Sequence, residues 1–132
     1  MIFVSPYQLS TVMKNVLLIS PDTGLADSVR ANLLSLNIAL NVLPSSDNVF
    51  THLRNNRPDL VMIDFILQDI NGGGLCHQIK CDPELHDLPV VLLSEFPGLK
   101  RFSTKFGCNL ILNKPLDMNA VMKILDGRQV AA

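Results

Sequence analysis

Three polar residues of this chain have the side chains needed to receive a phosphoryl group. Asp64, Ser94 and Lys114 each come directly after a short apolar run or within two residues of its end. A carboxylate that accepts a phosphoryl group needs a cation to neutralise the incoming charge and donors for the equatorial oxygens. Lys114 can supply the cation and Ser94 the donor, although Lys114 could equally form a structural ion pair with Asp64. The residue types therefore predict a phosphoryl-accepting carboxylate at Asp64.

The apolar pattern predicts the elements that bring these residues together. Short apolar runs alternate with segments of helical periodicity, and the runs cover 16–19, 38–43, 60–63, 90–93 and 110–112. Strands that alternate with helices in this way imply right-handed crossovers and a parallel sheet covered on both faces. Ligands collect at the carboxyl ends of such strands. We therefore expect Asp64, Ser94 and Lys114 to meet at one edge of the sheet.

Local signals predict where several helices begin and end. Asp22 or Thr23 can cap the first helix, and Ser45 or Ser46 can start the second. The run 72–74 of three glycines reads as a turn into the third helix. Pro97-Gly98 predicts that the fourth helix is short or irregular.

The totals fit one domain and exclude several functions. The chain has 132 residues, of which 48% are hydrophobic and 17% charged, enough for one core. A net charge of -1 without a basic run argues against direct nucleic-acid binding, and no apolar stretch reaches a membrane-spanning length. The three cysteines form no CxxC pair, which suits a cytoplasmic location and predicts inert, partly buried thiols.

The chain resembles the receiver domain of bacterial response regulators from about Lys14 to Leu125. The resemblance is carried by PDLVMIDFILQDING at 58–72, IKCDPELHDLPVVLLS at 79–94, and Lys114-Pro115. It implies an α/β, flavodoxin-like fold: a five-stranded parallel sheet of order 2-1-3-4-5 with helices on both faces. By the same resemblance, Asp64 is the phosphoacceptor, Ser94 the hydroxyl switch residue and Lys114 the site lysine.

The resemblance also shows where this chain departs from typical receivers. Receivers usually carry two adjacent acids that hold Mg²⁺ after the first strand, and Ser20-Pro21 stands at those positions. The remaining candidate ligands are Asp22, Asp64 and the backbone carbonyl of Ile66, so Mg²⁺ binding is expected to be weak or absent. Asp22 is better suited to capping the first helix than to binding metal.

A second departure concerns the residue that switches conformation. The aromatic switch position, three residues before the lysine, is occupied by Ile111. An isoleucine has no polar tip that would favour an exposed state. We therefore expect the face that includes Ile111 and residues 96–106 to bind a partner in one standing conformation.

These features predict a non-enzymatic receiver of a two-component phosphorelay that signals through protein–protein interaction. The phosphoryl donor would be a histidine kinase or a phosphotransfer protein, phosphorylation of Asp64 would be handicapped, and homodimerisation stays open. We expect an appendage at 1–13, the receiver at 14–126, a tail at 127–132, and no output domain after it.

Three alternatives stay open at this point. The first is a pseudo-receiver that works without phosphorylation. The second is a small phosphohydrolase, disfavoured because Ile66 stands where such enzymes carry a second acid. The third is a flavin-binding protein, disfavoured because the loop after the first strand lacks a Ser/Thr-rich phosphate cradle.

Overall fold

The computed structural model describes residues 14–126, and strands and helices alternate along this part of the chain. The predicted appendage at 1–13 and the tail at 127–132 lie outside the described residues. The elements are β1 (Asn15–Ile19), α1 (Thr23–Leu34), β2 (Ala39–Leu43), α2 (Val49–Asn55), β3 (Leu60–Asp64), α3 (Gly72–Cys81), β4 (Val90–Ser94), a 3₁₀-helix (Pro97–Phe102) that leads into α4 (Ser103–Phe106), β5 (Leu110–Asn113) and α5 (Met118–Leu125).

The five strands form one parallel sheet in the order β2-β1-β3-β4-β5, which confirms the predicted fold class. Strands β3 and β4 are buried along their whole length, whereas the edge strand β2 is partly exposed. Central strands that are covered on both faces consist of continuous apolar runs, and these runs made β3 and β4 easy to predict from the sequence.

Alternate residues of each strand point to opposite faces and build two separate cores. One core lies under α2, α3 and α4, and the other lies under α1 and α5. The first includes Leu17, Ile63, Leu92, Leu53 and Ile79; the second includes Leu18, Met62, Leu93, Val29 and Val121. None of the helices between residues 14 and 126 is long and apolar enough to cross a bilayer.

The first two helices begin at caps that differ in kind. Asp22 caps α1, and its Oδ1 accepts a hydrogen bond of 3.0 Å from the backbone N–H of Leu25. The predicted start of α2 at Ser45 or Ser46 is wrong, because Asn48 holds the N-cap position in a left-handed conformation. Ser45 Oγ instead accepts from the N–H of Asp47, two residues later, and so stabilises a local turn.

The three glycines are not a turn, as the sequence suggested, but the first turn of α3. Asn71 caps this helix, with Oδ1 accepting from the N–H of Gly74 at 2.8 Å. A Cβ on Gly72 would lie 2.4 Å from the carbonyl oxygen of Asp64, and one on Gly73 would lie 2.5 Å from Phe106 Cε1. Glycine at these two positions lets α3 begin directly against the end of β3 and against α4.

The predicted irregularity of the fourth helix is confirmed. Pro97 opens a 3₁₀-helix that gives way to a single α-helical turn, and Gly107 ends it at a φ of 77°. A 3₁₀-helix makes poorer hydrogen bonds than an α-helix and is stable only over short runs. This segment therefore depends on side-chain packing more than the other helices do.

Candidate functional site

Strand register brings the predicted site residues to the same edge of the sheet. Ile19 of β1 pairs with Ile63 of β3. Because both strands run in the same direction, the next residue after β1, Ser20, lies beside Asp64. Ser94 pairs with Asn113 across β4 and β5, and the N–H of Lys114 donates to the Ser94 carbonyl at 2.9 Å.

A cleft of about 220 Å³ opens at this edge. Its lining contains four of the predicted residues together with two that the sequence did not single out as site residues: Asp64, Ile66, Ser94 and Lys114, with Pro21 and Glu95. Asp22 is not part of this lining. Glu95 was missed although it directly follows Ser94, because sequence gives no direction for its side chain.

Asp64 is nearly buried, with 4% of its surface exposed, and its two carboxylate oxygens have different environments. Oδ2 accepts hydrogen bonds of 2.8 Å from both Lys114 Nζ and Ser20 Oγ. Within residues 14–126, Oδ1 has only a long contact of 3.4 Å with the N–H of Ile66. Because Oδ2 is saturated by a cation and a hydroxyl, Oδ1 is the oxygen with lone pairs available to a ligand or an electrophile.

Ser20, which stands where receivers usually carry an acid, contacts Asp64 directly. Its hydroxyl donates to Asp64 and accepts from the N–H of Asp22 at 3.0 Å, and only 2% of the residue is exposed. A hydroxyl has one donor and can accept at the same time, so both contacts are compatible. Its position directly after β1 predicts that it lies at the same edge of the sheet as Asp64, but sequence alone does not show which group its hydroxyl contacts.

The oxygen ligands at the cleft fit Mg²⁺ poorly. Mg²⁺ favours near-octahedral oxygen coordination with carboxylate ligands. The lining holds two carboxylates, Asp64 and Glu95, and Asp64 is already paired with Lys114. Pro21 has no side-chain oxygen, and Asp22 uses Oδ1 to cap α1. Within residues 14–126 no three His, Cys, Asp or Glu side chains gather in a cluster suited to a metal ion.

Ser94 lies in the cleft, but its hydroxyl is engaged within its own loop. Ser94 Oγ accepts from the N–H of Phe96 at 2.8 Å, and this contact closes the turn that follows β4. The residue is 2% exposed. Among the described residues the hydroxyl therefore bonds to Phe96, and it would have to rotate to reach a group on Asp64.

An aromatic cluster links the cleft to the fourth helix. The Phe65 ring, next to Asp64 in sequence, lies edge-on to Phe96 with centroids 6.4 Å apart and 5.9 Å from the Phe106 ring. Phe102 in turn lies 6.3 Å from Phe106. These contacts connect the end of β3 to both ends of the segment 96–106.

Ile111 occupies a different place from the one expected. Its side chain is 3% exposed and packs in the core under α2 and α3, so it is not available as a contact for a partner. The exposed part of this face comes instead from Phe96 and Phe102, which are 50% and 41% exposed.

The same face carries a local excess of positive charge. Lys100, Arg101 and Lys105 are exposed, and no acidic residue occurs between Glu95 and Asp117 in the sequence. None of the three forms an ion pair with another residue of the described range. The segment 96–106 is therefore both aromatic and basic.

Comparison with known proteins identifies the family that has this geometry. A family model described as the response regulator receiver domain matches residues 16–126. The protein described as "Probable transcriptional regulator ycf29" of Cyanophora paradoxa is 25% identical over 118 residues, covering 87% of this chain and 56% of that protein. Response regulator Rre1 of Synechocystis is 26% identical over 124 residues, covering 89% and 54%.

The fold is shared with solved structures at lower identity. Chemotaxis response regulator CheY4 of Vibrio cholerae superposes with a TM-score of 0.76 at 16% identity, covering 89% of this chain and 99% of that one. The present chain spans about half the length of the first two curated relatives.

Proposed function

The chain belongs to the response regulator receiver domain family, and from this premise we propose that it is a divergent receiver with a handicapped phosphoacceptor at Asp64. It signals through contacts with other proteins and catalyses no reaction on a small-molecule substrate. The proposal rests on one observation above all: Asp64 has one carboxylate oxygen saturated by Lys114 and Ser20 and one with a single long contact, inside a cleft that also holds Ser94.

The proposed chemistry is transfer of a phosphoryl group to Asp64. Oδ1 attacks phosphorus, the bond between phosphorus and the donor's imidazole nitrogen breaks, and that nitrogen keeps the electron pair and takes up a proton. Lys114 remains close to the carboxylate and offsets part of the added negative charge. Ser94 would donate to a phosphoryl oxygen after giving up its contact with Phe96.

Two features of the cleft make this transfer slow. The first is that the oxygen ligands of the cleft fit Mg²⁺ poorly, so that Mg²⁺ binding is weak or absent. In typical receivers this ion balances the charge of the incoming phosphoryl group. The second is Glu95, whose negative charge lines the cleft and repels an anionic donor. Among the described residues that line this cleft, Lys114 is the one with a cationic side chain.

The proposed partners follow from the same chemistry. A histidine kinase or a phosphotransfer protein supplies the phosphoryl group, and a downstream protein reads the face formed by Phe96, Phe102 and the basic residues of segment 96–106. A second copy of the chain is an alternative partner for this face, and solution mass measurements would reveal such self-association. A cytoplasmic location and the lack of direct nucleic-acid binding remain predictions from the composition.

A pseudo-receiver that works without phosphorylation is the second candidate function. It is supported by the engagement of Ser94 with Phe96 and by the burial of Ile111, since neither residue is poised to respond to Asp64. In this alternative the Ser20–Asp64–Lys114 contacts are purely structural.

Incubation with acetyl phosphate followed by intact-mass analysis separates the two candidates. A slow gain of one phosphoryl group that Asp64→Asn abolishes supports the handicapped receiver. No gain at any Mg²⁺ concentration supports the pseudo-receiver. Continuous release of phosphate without accumulation of the modified protein would instead indicate a phosphohydrolase and contradict both.

A further inference from the structure

A groove of about 500 Å³ lies between α3 and α4, apart from the cleft at Asp64. It is larger than that cleft and shares none of its lining residues. The groove is lined by two glycines, one aromatic ring and three polar side chains: Gly73, Gly74, Phe106, Asn71, His77 and Lys105. Its volume falls in the range of ligand-binding clefts. The groove therefore has room for a bound group.

Two glycines of α3 leave the floor of the groove bare. A Cβ on Gly73 would lie 2.5 Å from Phe106 Cε1, so the ring lies directly against the helix backbone. A Cβ on Gly74 would be in ordinary contact with Ile70 Cδ1 at 3.4 Å, and Gly74 itself is half-buried. The first turn of α3 thus has no side chain beside the ring at these positions. This surface offers a seat for one apolar side chain of a ligand.

The polar side chains of the groove favour an anionic group. Lys105 is exposed and forms no ion pair within residues 14–126. His77 is also exposed, and its Nε2 lies 3.5 Å from Cys81 Sγ, which leaves Nδ1 for another partner. None of the six lining residues, all of which belong to the described part of the chain, is acidic. A carboxylate bound here would meet a free ammonium group and no like charge from the lining.

The charges around the groove favour the same kind of ligand. Lys100 and Arg101 precede Lys105 in the segment 96–106 and are exposed like it. The acid nearest to the lining in sequence is Asp69, which accepts a hydrogen bond from the Ser46 hydroxyl and is thereby held toward the loop before α2. A partner that carries negative charge is therefore attracted to the α4 side of the groove.

We propose that this groove binds an acidic peptide segment of the downstream partner, with an apolar side chain over Gly74 against Phe106 and a carboxylate paired with Lys105. The inference rests on the proposed function in that the chain signals through contacts with other proteins. A peptide is favoured over a small molecule because the polar side chains of the lining are exposed, whereas small-molecule sites enclose most of their ligand. Binding needs no phosphoryl group on Asp64, because the groove is open in the unmodified chain.

Selection of peptides from a displayed random library on the immobilised full chain tests the proposal. We expect the selected peptides to be rich in Asp and Glu around one aromatic or leucine residue. The strongest of them, labelled with fluorescein, is then measured by anisotropy against the wild type and against Gly74→Trp. Position 74 accepts a Cβ without a clash, and a large ring there fills the groove, so this variant should lose most of the binding.

A pair of charge reversals keeps the test decisive even if Gly74→Trp does not fold. Lys105→Glu should weaken binding of the selected peptide by about five- to tenfold at low salt, because an attractive charge becomes a repulsive one. Lys123→Glu makes the same change at an exposed residue of α5, away from the groove, and should alter the affinity by less than about twofold. A peptide whose acids are replaced by glutamine should bind weakly and should not distinguish the two variants.

Three outcomes would overturn the proposal. The first is a selection that enriches no peptides, or enriches peptides without acidic residues. The second is an equal loss of affinity in Lys105→Glu and Lys123→Glu, which would mean that only net charge matters. The third is tighter binding of duplex DNA or of phosphatidylserine vesicles than of any selected peptide. Intact-mass analysis of phosphorylation at Asp64 is independent of all three, so failure of the groove and failure of the phosphoacceptor are distinguishable.

Discussion

The Ser20 hydroxyl donates a hydrogen bond of 2.8 Å to Asp64 Oδ2, where the family usually has an acid instead of a donor. Two carboxylates about 5 Å apart would repel by roughly 3 kcal/mol at an effective dielectric constant near 20, and a metal relieves that repulsion. A hydroxyl creates no such repulsion. Lys114 therefore balances the charge of Asp64 without a metal ion, in line with the proposal that Mg²⁺ binds weakly here.

Restoring the acid pair should restore metal binding. We expect the double variant Ser20→Asp/Pro21→Asp to bind Mg²⁺ at least about tenfold more tightly than the wild type, because added carboxylates supply the missing ligands. Mg²⁺ titration followed by amide chemical shifts around Asp64 measures this. Ser20→Ala is the matched control, since it removes the hydrogen bond without adding a ligand. Equal affinities in the wild type and the double variant would show that Ser20 and Pro21 do not limit binding.

Removing the charge of Glu95 should speed phosphorylation. An anionic donor is repelled by Glu95 in the cleft, so Glu95→Gln is expected to raise the rate with acetyl phosphate by about two- to fivefold at low salt. The gain should shrink as ionic strength rises, because exposed charges are screened. Glu84→Gln, which changes an exposed acid in the loop before β4, should leave the rate unchanged. A gain of the same size in both variants would point to net charge rather than to the cleft.

Ile111 should not respond to a phosphoryl mimic. It is buried in the core and has no second favourable environment, so a ligand at Asp64 has no alternative state to select there. With beryllofluoride and Mg²⁺ we expect amide shift changes only in the loops around Asp64, or none. Large changes that reach from Asp64 through Ser94 to Ile111 would show that this receiver switches in the usual way.

Alanine substitutions at Gly72 and Gly74 should change the stability of the protein in opposite directions. Gly72→Ala places a methyl group 2.4 Å from the Asp64 carbonyl oxygen, and we expect a loss of about 1–3 kcal/mol in the free energy of unfolding. Gly74→Ala places its methyl group in ordinary contact with the Ile70 side chain at 3.4 Å and Asn71 Oδ1 at 3.6 Å, and should stabilise the helix by about 0.5–1 kcal/mol. Urea denaturation of both variants measures the difference. Similar stability of the two would mean that α3 can move away from β3 without cost.

Asp22 should matter for stability and not for metal binding. Its Oδ1 caps α1, so Asp22→Ala is expected to cost about 1 kcal/mol of stability, while Asp22→Ser, which retains a capping oxygen, should cost much less. Denaturation curves measured with and without Mg²⁺ test both parts. If Mg²⁺ stabilises the wild-type fold but not Asp22→Ser, Asp22 is a metal ligand.

The sequence alone was enough for the architecture. Buried parallel strands leave continuous apolar runs and helices leave stripes of period 3.6, and right-handed crossovers between them allow few sheet orders. Asp64, Ser94 and Lys114 could be placed at one edge because the carboxyl ends of parallel strands must meet there. The weak fourth helix was also readable, since Pro97 and Gly98 disfavour an α-helix locally.

Only the tertiary structure decided which side chains touch. Ser20 could be placed at the edge of the sheet from the sequence, but only the register of β1 on β3 showed its hydroxyl on Asp64. The three glycines looked like a turn until the approach of α3 to the Asp64 carbonyl explained them. The periodicity of apolar residues in the sequence indicates which face of a helix or strand is buried. The partner on that face, and the direction of each hydrogen bond, depend on register and packing between residues far apart in the chain.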